Sequence, residues 1–105
     1  MTNTKAQTFI GFAIKSGKYK CGMNSCETLK RANLIIVSAD ASDGTKKQAE
    51  SLAKKLGARF LQTKNKPLSD YVHKDNVKIM AVTDFNIAKA IYEQKETDFI
   101  EGIEE

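Results

Sequence analysis

The sequence predicts an α/β fold, a three-layer α/β/α sandwich with a small central mixed sheet, built as a single domain. Three observations predict it. Two short apolar runs, Leu34–Val37 and Ile79–Val82, show no polar alternation, as strands covered on both faces do. The segments between such runs carry apolar residues at helical spacing. The chain has 105 residues, 41% hydrophobic and 29% charged, which is the size and composition of one globular domain.

The elements follow in order. Ala6, Phe9, Ile10, Ala13 and Ile14 form one stripe of an amphipathic helix. Thr4 is placed to cap its start and Gly17 to stop it in a left-handed conformation. Residues 18–21 read as a short strand or extended link. Asn24 followed by Glu27 has capping-box spacing, with Asn24 at the cap. Cys26, Leu29 and Ala32 then make the buried stripe of a second, short helix. After the strand at Leu34–Val37, Ser42 or Asp43 caps a third helix with the stripe Ala49, Leu52, Ala53, Leu56, and Gly57 ends it. Residues 59–62 read as a strand. Pro67 suits the first turn of a short helix carrying Leu68, Tyr71 and Val72. Thr83 or Asp84 caps a last helix with Ile87, Ala88, Ile91 and Tyr92. Residues 1–95 form the expected domain. Residues 96–105 hold five acids and no base and read as a loosely attached acidic tail, with Phe99, Ile100 and Ile103 able to dock.

The net charge of +4 at pH 7 is unevenly spread. Residues 1–31 carry net +5, residues 32–66 net +4, and residues 67–105 net −5. A basic front half suits a polyanionic partner, because Lys and Arg neutralise phosphates and release counterions. A solvated surface with an acidic tail is the plainer explanation of the same numbers. No apolar run approaches the roughly 20 residues that span a bilayer, and residues 1–18 lack the apolar core of a signal peptide. A cytoplasmic setting without membrane partners is therefore the expectation.

Candidate chemistry is sparse. His73 is the only histidine and lies in a polar segment without a partner, which suits a surface side chain better than a catalyst. Cys21 and Cys26 are spaced for neither a redox motif nor a zinc site, so no metal is expected and both thiols should be reduced. Lys20 beside Cys21 would favour its thiolate. Asp40-Ala41-Ser42-Asp43-Gly44 lacks the further ligands of a calcium loop, and helix capping explains it better. Phosphate-binding glycine loops, nucleophile elbows and paired catalytic carboxylates are missing. No enzyme activity, cofactor or small-molecule substrate is expected.

One segment joins several binding features. Lys18 and Lys20 flank a short strand, Gly22 permits close backbone approach, and Asn24 and Ser25 open a helix whose free N–H groups favour an anion. Lys30 and Arg31 lie further along that helix. Such a site would hold phosphates while Asn24 reads a base edge. A glycine turn with an Asn cap is the bland alternative.

Several blocks carry a resemblance. Phe9-Ile10-Gly11-Phe12-Ala13-Ile14-Lys15-Ser16-Gly17-Lys18 is similar to the "LGLAxRAGK" opening of small bacterial YlxQ-like proteins, of the ribosomal-protein superfamily of kink-turn RNA binders. Residues 34–42 with Thr45-Lys46-Lys47, and Ala81-Val82-Thr83-Asp84 with residues 87–91, extend the likeness over about residues 9–92. The resemblance implies the same α/β/α sandwich and a structured, kink-turn-like RNA partner, with the ribosome as one setting. It also implies two contact segments. The first is a "GxNE" turn, here Gly22-Met23-Asn24-Ser25, with Ser25 in place of Glu and Thr28 where a lysine is usual. The second is the loop before the last strand, here His73, Lys74, Asn76 and Lys78, where the pattern's two glycines are Ser69 and His73. The expected function is non-enzymatic RNA binding; the alternative is a protein-interaction module that keeps the fold without RNA. The oligomeric state is not legible.

Overall fold

The computed structural model describes residues 5–64, 67–74, 76–94 and 99–101. Ten elements follow one another: α1 (Lys5–Ser16), β1 (Tyr19–Cys21), α2 (Met23–Glu27), β2 (Leu34–Val37), α3 (Asp43–Leu56), β3 (Arg59–Thr63), α4 (Leu68–Val72), β4 (Ile79–Val82), α5 (Phe85–Tyr92) and β5 (Phe99–Glu101). The strands form one mixed sheet in the order β1-β4-β2-β3-β5. Strand β2 runs parallel to β3 and antiparallel to β4, and the two outer strands pair antiparallel with their neighbours.

The α/β/α layering follows from strand alternation. Successive side chains of a strand point to opposite faces, and all eight residues of β2 and β4 are buried. Leu34, Ile36, Met80 and Val82 pack with α1, α4 and α5 on one face. Ile35, Val37, Ile79 and Ala81 pack with α2 and α3 on the other. The expectation that β2 and β4 are neighbouring, central and buried is met.

Local signals hold for the longer helices. The Ser42 hydroxyl caps α3 by accepting from Thr45 N–H at 3.1 Å, and Gly57 ends it at φ 68°. Asp84 caps α5, accepting from Ile87 N–H at 2.9 Å. Gly17 follows α1 at φ 71°; its expected cap, Thr4, lies outside the described residues.

Two expectations need correction. Helix α2 begins one residue after Gly22, which is its N-cap, and Asn24 makes no capping hydrogen bond. The helix ends at Glu27, so Leu29 and Ala32 pack from the following link, and Lys30 and Arg31 stand in that link and not on the helix. The second correction concerns the tail. Phe99–Glu101 pair with β3 and extend the sheet. The Phe99 ring is buried at 1% exposure and stacks on Tyr71 with centroids 5.8 Å apart. Of the residues proposed to dock, Phe99 does so; Ile103 lies outside the described residues.

Two substitutions check this architecture. Ile36→Asp is expected to abolish folding, because an unpaired charge between two packed layers costs several kcal/mol; circular dichroism decides it. Phe99→Ala is expected to destabilise by about 3–5 kcal/mol, read from denaturant unfolding. A tail that only trailed in solvent would give no change.

Candidate nucleic-acid interface

The registers divide the loops between two ends of the sheet. Cys21 is opposite Met80, and Val37 is opposite both Ile79 and Gln62. The exits of β1, β2 and β3 and the entry of β4 therefore share one end. At the other end, Tyr19 and Leu34 are both opposite Val82, and Leu34 is opposite Arg59.

The first end gathers the two segments that the sequence singles out. Gly22 N–H donates to Ile79 O at 3.0 Å, and Gly22 O accepts from Cys26 N–H at 3.0 Å. The turn is thus pinned to the start of β4. Gly22 sits at φ 89°, and a Cβ there would meet nothing within 4 Å. Its dihedral, not crowding, demands glycine, and the backbone stands open to a close approach. Asn24 and Ser25 are exposed, and neither side chain has a hydrogen-bond partner among the described residues. At five residues, α2 sums too few peptide dipoles for its N-terminus to count as an anion site.

The loop from His73 to Lys78 lies beside this turn. His73 ends α4 in the left-handed region at φ 57°, and Asn76 is also left-handed at φ 62°. Ser69 fastens the loop: its hydroxyl accepts from Val77 N–H at 3.0 Å and donates to Val77 O at 3.3 Å. Lys74 lies over Tyr19, its Nζ 5.9 Å from the ring centroid, which ties the loop to β1. His73, Lys74 and Asn76 are exposed.

Lys78 is placed differently. Its ammonium forms an ion pair with Asp40 at 2.9 Å. The Asp40 carboxyl is held below its usual range, first by the Ser38 hydroxyl that donates to it and then by Lys78. Ser38 is fully buried and also accepts from Leu68 N–H at 3.0 Å. Asp40 thus links the β2–α3 loop to the residue before β4, and Lys78 has a carboxylate beside it where it stands.

The remaining lysines scatter. Lys20 is exposed on the edge strand β1, on the α2 side. Lys18, Lys30 and Arg31 belong to the opposite end: Lys18 O accepts from Thr83 N–H at 3.0 Å, and Lys30 and Arg31 precede β2. The structure therefore places Gly22, Asn24, Ser25, His73, Lys74 and Asn76 at one end of the sheet, with His73 turned to a cleft against α1, pairs Lys78 with Asp40, and puts Lys18, Lys30 and Arg31 at the other end.

The thiols are free, as expected, but the charge beside Cys21 is not the expected one. Burial raises the Cys21 thiol, with Lys74 and not Lys20 as the opposing charge. Cys26 is fully buried, its Sγ donating to Lys20 O at 3.6 Å, and burial pushes it up to about 11. Both are protonated at neutral pH.

Comparison with known proteins returns no matching family model and no curated protein of matching sequence.

The Cys26 shift has a stability consequence. Its proton stays bound in the folded state up to about pH 11, whereas the unfolded thiol loses it near 9. The contribution is complete below about pH 9 and is lost as pH rises towards 11. Cys26→Ala is expected to flatten the fall in unfolding free energy across that window relative to the parent. Equal slopes in urea titrations of the two proteins would contradict it.

Proposed function

We infer that the protein is a non-enzymatic RNA-binding protein that recognises structured, kink-turn-like RNA through the end of the sheet holding the Gly22 turn and the 73–76 loop. One observation carries this reading. Two exposed segments some fifty residues apart in sequence, each implied to touch RNA by the resemblance, are joined by the Gly22–Ile79 hydrogen bond and the Lys74–Tyr19 contact. The Asn24 amide offers a donor and an acceptor, both unpaired among the described residues, which suits a base edge. Gly22 leaves the backbone accessible to a phosphate or sugar. Lys74 and Lys20 supply mobile positive charge for phosphates. His73 and Asn76 occupy sparsely populated backbone conformations beside this surface, as residues near functional sites often do.

Affinity then depends on fewer lysines than the linear sequence suggests. Lys78 is paired with Asp40, and Lys18, Lys30 and Arg31 face the other end. The resemblance to ribosomal proteins makes ribosomal RNA the first RNA to examine, and the bacterial cytoplasm the proposed setting. Among the described residues, no helix is long and apolar enough to cross a membrane.

Because Asn24 is not a cap, specificity separates from stability. Asn24→Ala is expected to weaken binding to a kink-turn RNA by about 1–3 kcal/mol, with an unchanged salt slope and an unchanged melting temperature. Lys74→Gln is expected to weaken all RNAs alike and to make the slope shallower by about one. Electrophoretic shift titrations over a range of salt measure both. Parental affinity of Asn24→Ala for every RNA would reject the reading of this turn and favour a protein-interaction module.

A further inference from the structure

The registers that place the Gly22 turn at one end of the sheet leave a second basic surface at the other. Lys18, Lys30 and Arg31 flank strands there, α3 closes there with Lys54 and Lys55 in its last turn, and β3 begins there with Arg59. All six are exposed, and none forms an ion pair among the described residues. The nearby carboxylate of Asp84 is occupied in capping α5.

A cleft of about 150 Å³ opens in this surface, lined by Asn33, Gly57, Arg59, Phe85, Ala88 and Lys89. Its lining is unusual in three respects. Phe85 is 65% exposed, far from the burial that its ring would favour. Arg59 is held with its guanidinium carbon 4.5 Å from the Tyr92 ring centroid, so its N–H edges are left for another partner. Asn33 uses its backbone within the sheet, donating to Val82 O at 2.9 Å and accepting from Arg59 N–H at 3.2 Å, while its side-chain amide has no partner among the described residues. Gly57, at φ 68°, puts no side chain into the opening.

An exposed aromatic face, a free amide and two cations together fit a planar, polar ring attached to phosphate. The size narrows this further. Pockets for whole small ligands run to about 300–1,000 Å³, so this cleft takes a single ring system that belongs to a longer molecule. A base within a duplex has no free face for Phe85, whereas an unpaired base does. An acidic peptide would satisfy the cations but not the ring and the amide.

We propose that this cleft receives one unpaired nucleotide of a single-stranded nucleic acid, with the base stacked on Phe85, the Asn33 amide on its edge, and Arg59 and Lys89 on the flanking phosphates. Lys18, Lys30 and Arg31 extend the path of the strand. The surface is separated from the Gly22 turn by the length of strands β2 and β4, about 13 Å. It does not depend on the reading of that turn.

The test is fluorescence anisotropy with a labelled oligouridylate of about ten nucleotides, on the full chain. Phe85→Ala, an exposed truncation, is expected to weaken binding about tenfold while circular dichroism stays parental. Lys89→Gln is expected to make the salt slope shallower by about one. A 4-thiouridine oligonucleotide is expected to crosslink to the peptide that contains Phe85. The proposal is overturned if oligouridylate does not bind, the result if Phe85 serves a protein partner, or if Phe85→Ala binds it as the parent does. Failure of the turn reading appears separately, as an unchanged kink-turn affinity in Asn24→Ala.

Discussion

The antiparallel pairing of Leu34–Val37 with Ile79–Val82 sets the position of every other element. Four residues from each strand alternate between two apolar layers, and both layers are closed by helices. A slip of one residue would exchange the two faces, sending Leu34 and Ile36 against α3 and Ile35 and Val37 against α1. The pairing also fixes the loops, because each end of β4 takes hydrogen bonds from its neighbours. Lys78 O accepts from Ser38 N–H and Ile79 O from Gly22 N–H at one end; Val82 O accepts from Asn33 N–H at the other, where Thr83 N–H donates to Lys18 O. Both candidate surfaces therefore depend on a four-residue strand whose own side chains never reach solvent.

What was legible in the sequence follows from how local each signal is. Strands β2 and β4 announced themselves because burial on both faces removes polar alternation. Helices α3 and α5 did so because Ser42 and Asp84 act on N–H groups three residues away. Helix α2 was misread for a related reason. Asn24 and Glu27 have the right spacing for a cap, but the chain needs φ 89° where it leaves β1, and only Gly22 takes that readily. The helix therefore starts just after the glycine, at Met23, and ends at Glu27, before Lys30. Strand β5 was hidden by its acidic surroundings. Its place in the sheet rests on Phe99, which fills a site beside Tyr71 that no local pattern reveals.

The candidate surfaces were less legible than the fold, because charge in sequence is not charge in space. Lys18, Lys20, Lys30 and Arg31 lie within fourteen residues of one another and read as one basic site. A strand followed by a single helical turn carries the chain along the sheet and back, so these residues part to the two ends. Lys78 looked free in the sequence and is held by Asp40, thirty-eight positions earlier. Conversely, Asn33, Arg59 and Phe85 belong to three elements and carry no shared motif. They meet because β2 and β3 start side by side and α5 begins where β4 stops.

The loop before β4 shows how a backbone that favours glycine is held with other residues. A glycine after a short helix ordinarily supplies the left-handed residue that ends it. Here His73 takes that conformation, at a cost on the order of 1–2 kcal/mol for a residue with a Cβ. The surroundings offset it: Ser69 makes two hydrogen bonds across the loop that a glycine could not make, and Lys74 rests on Tyr19. The hydroxyl of Ser69 faces inward and holds the backbone of Val77. The imidazole of His73 and the amide of Asn76 stand in solvent. The fold around the loop thus enforces a left-handed backbone that glycine would take more readily, and the side chains set which groups the loop presents.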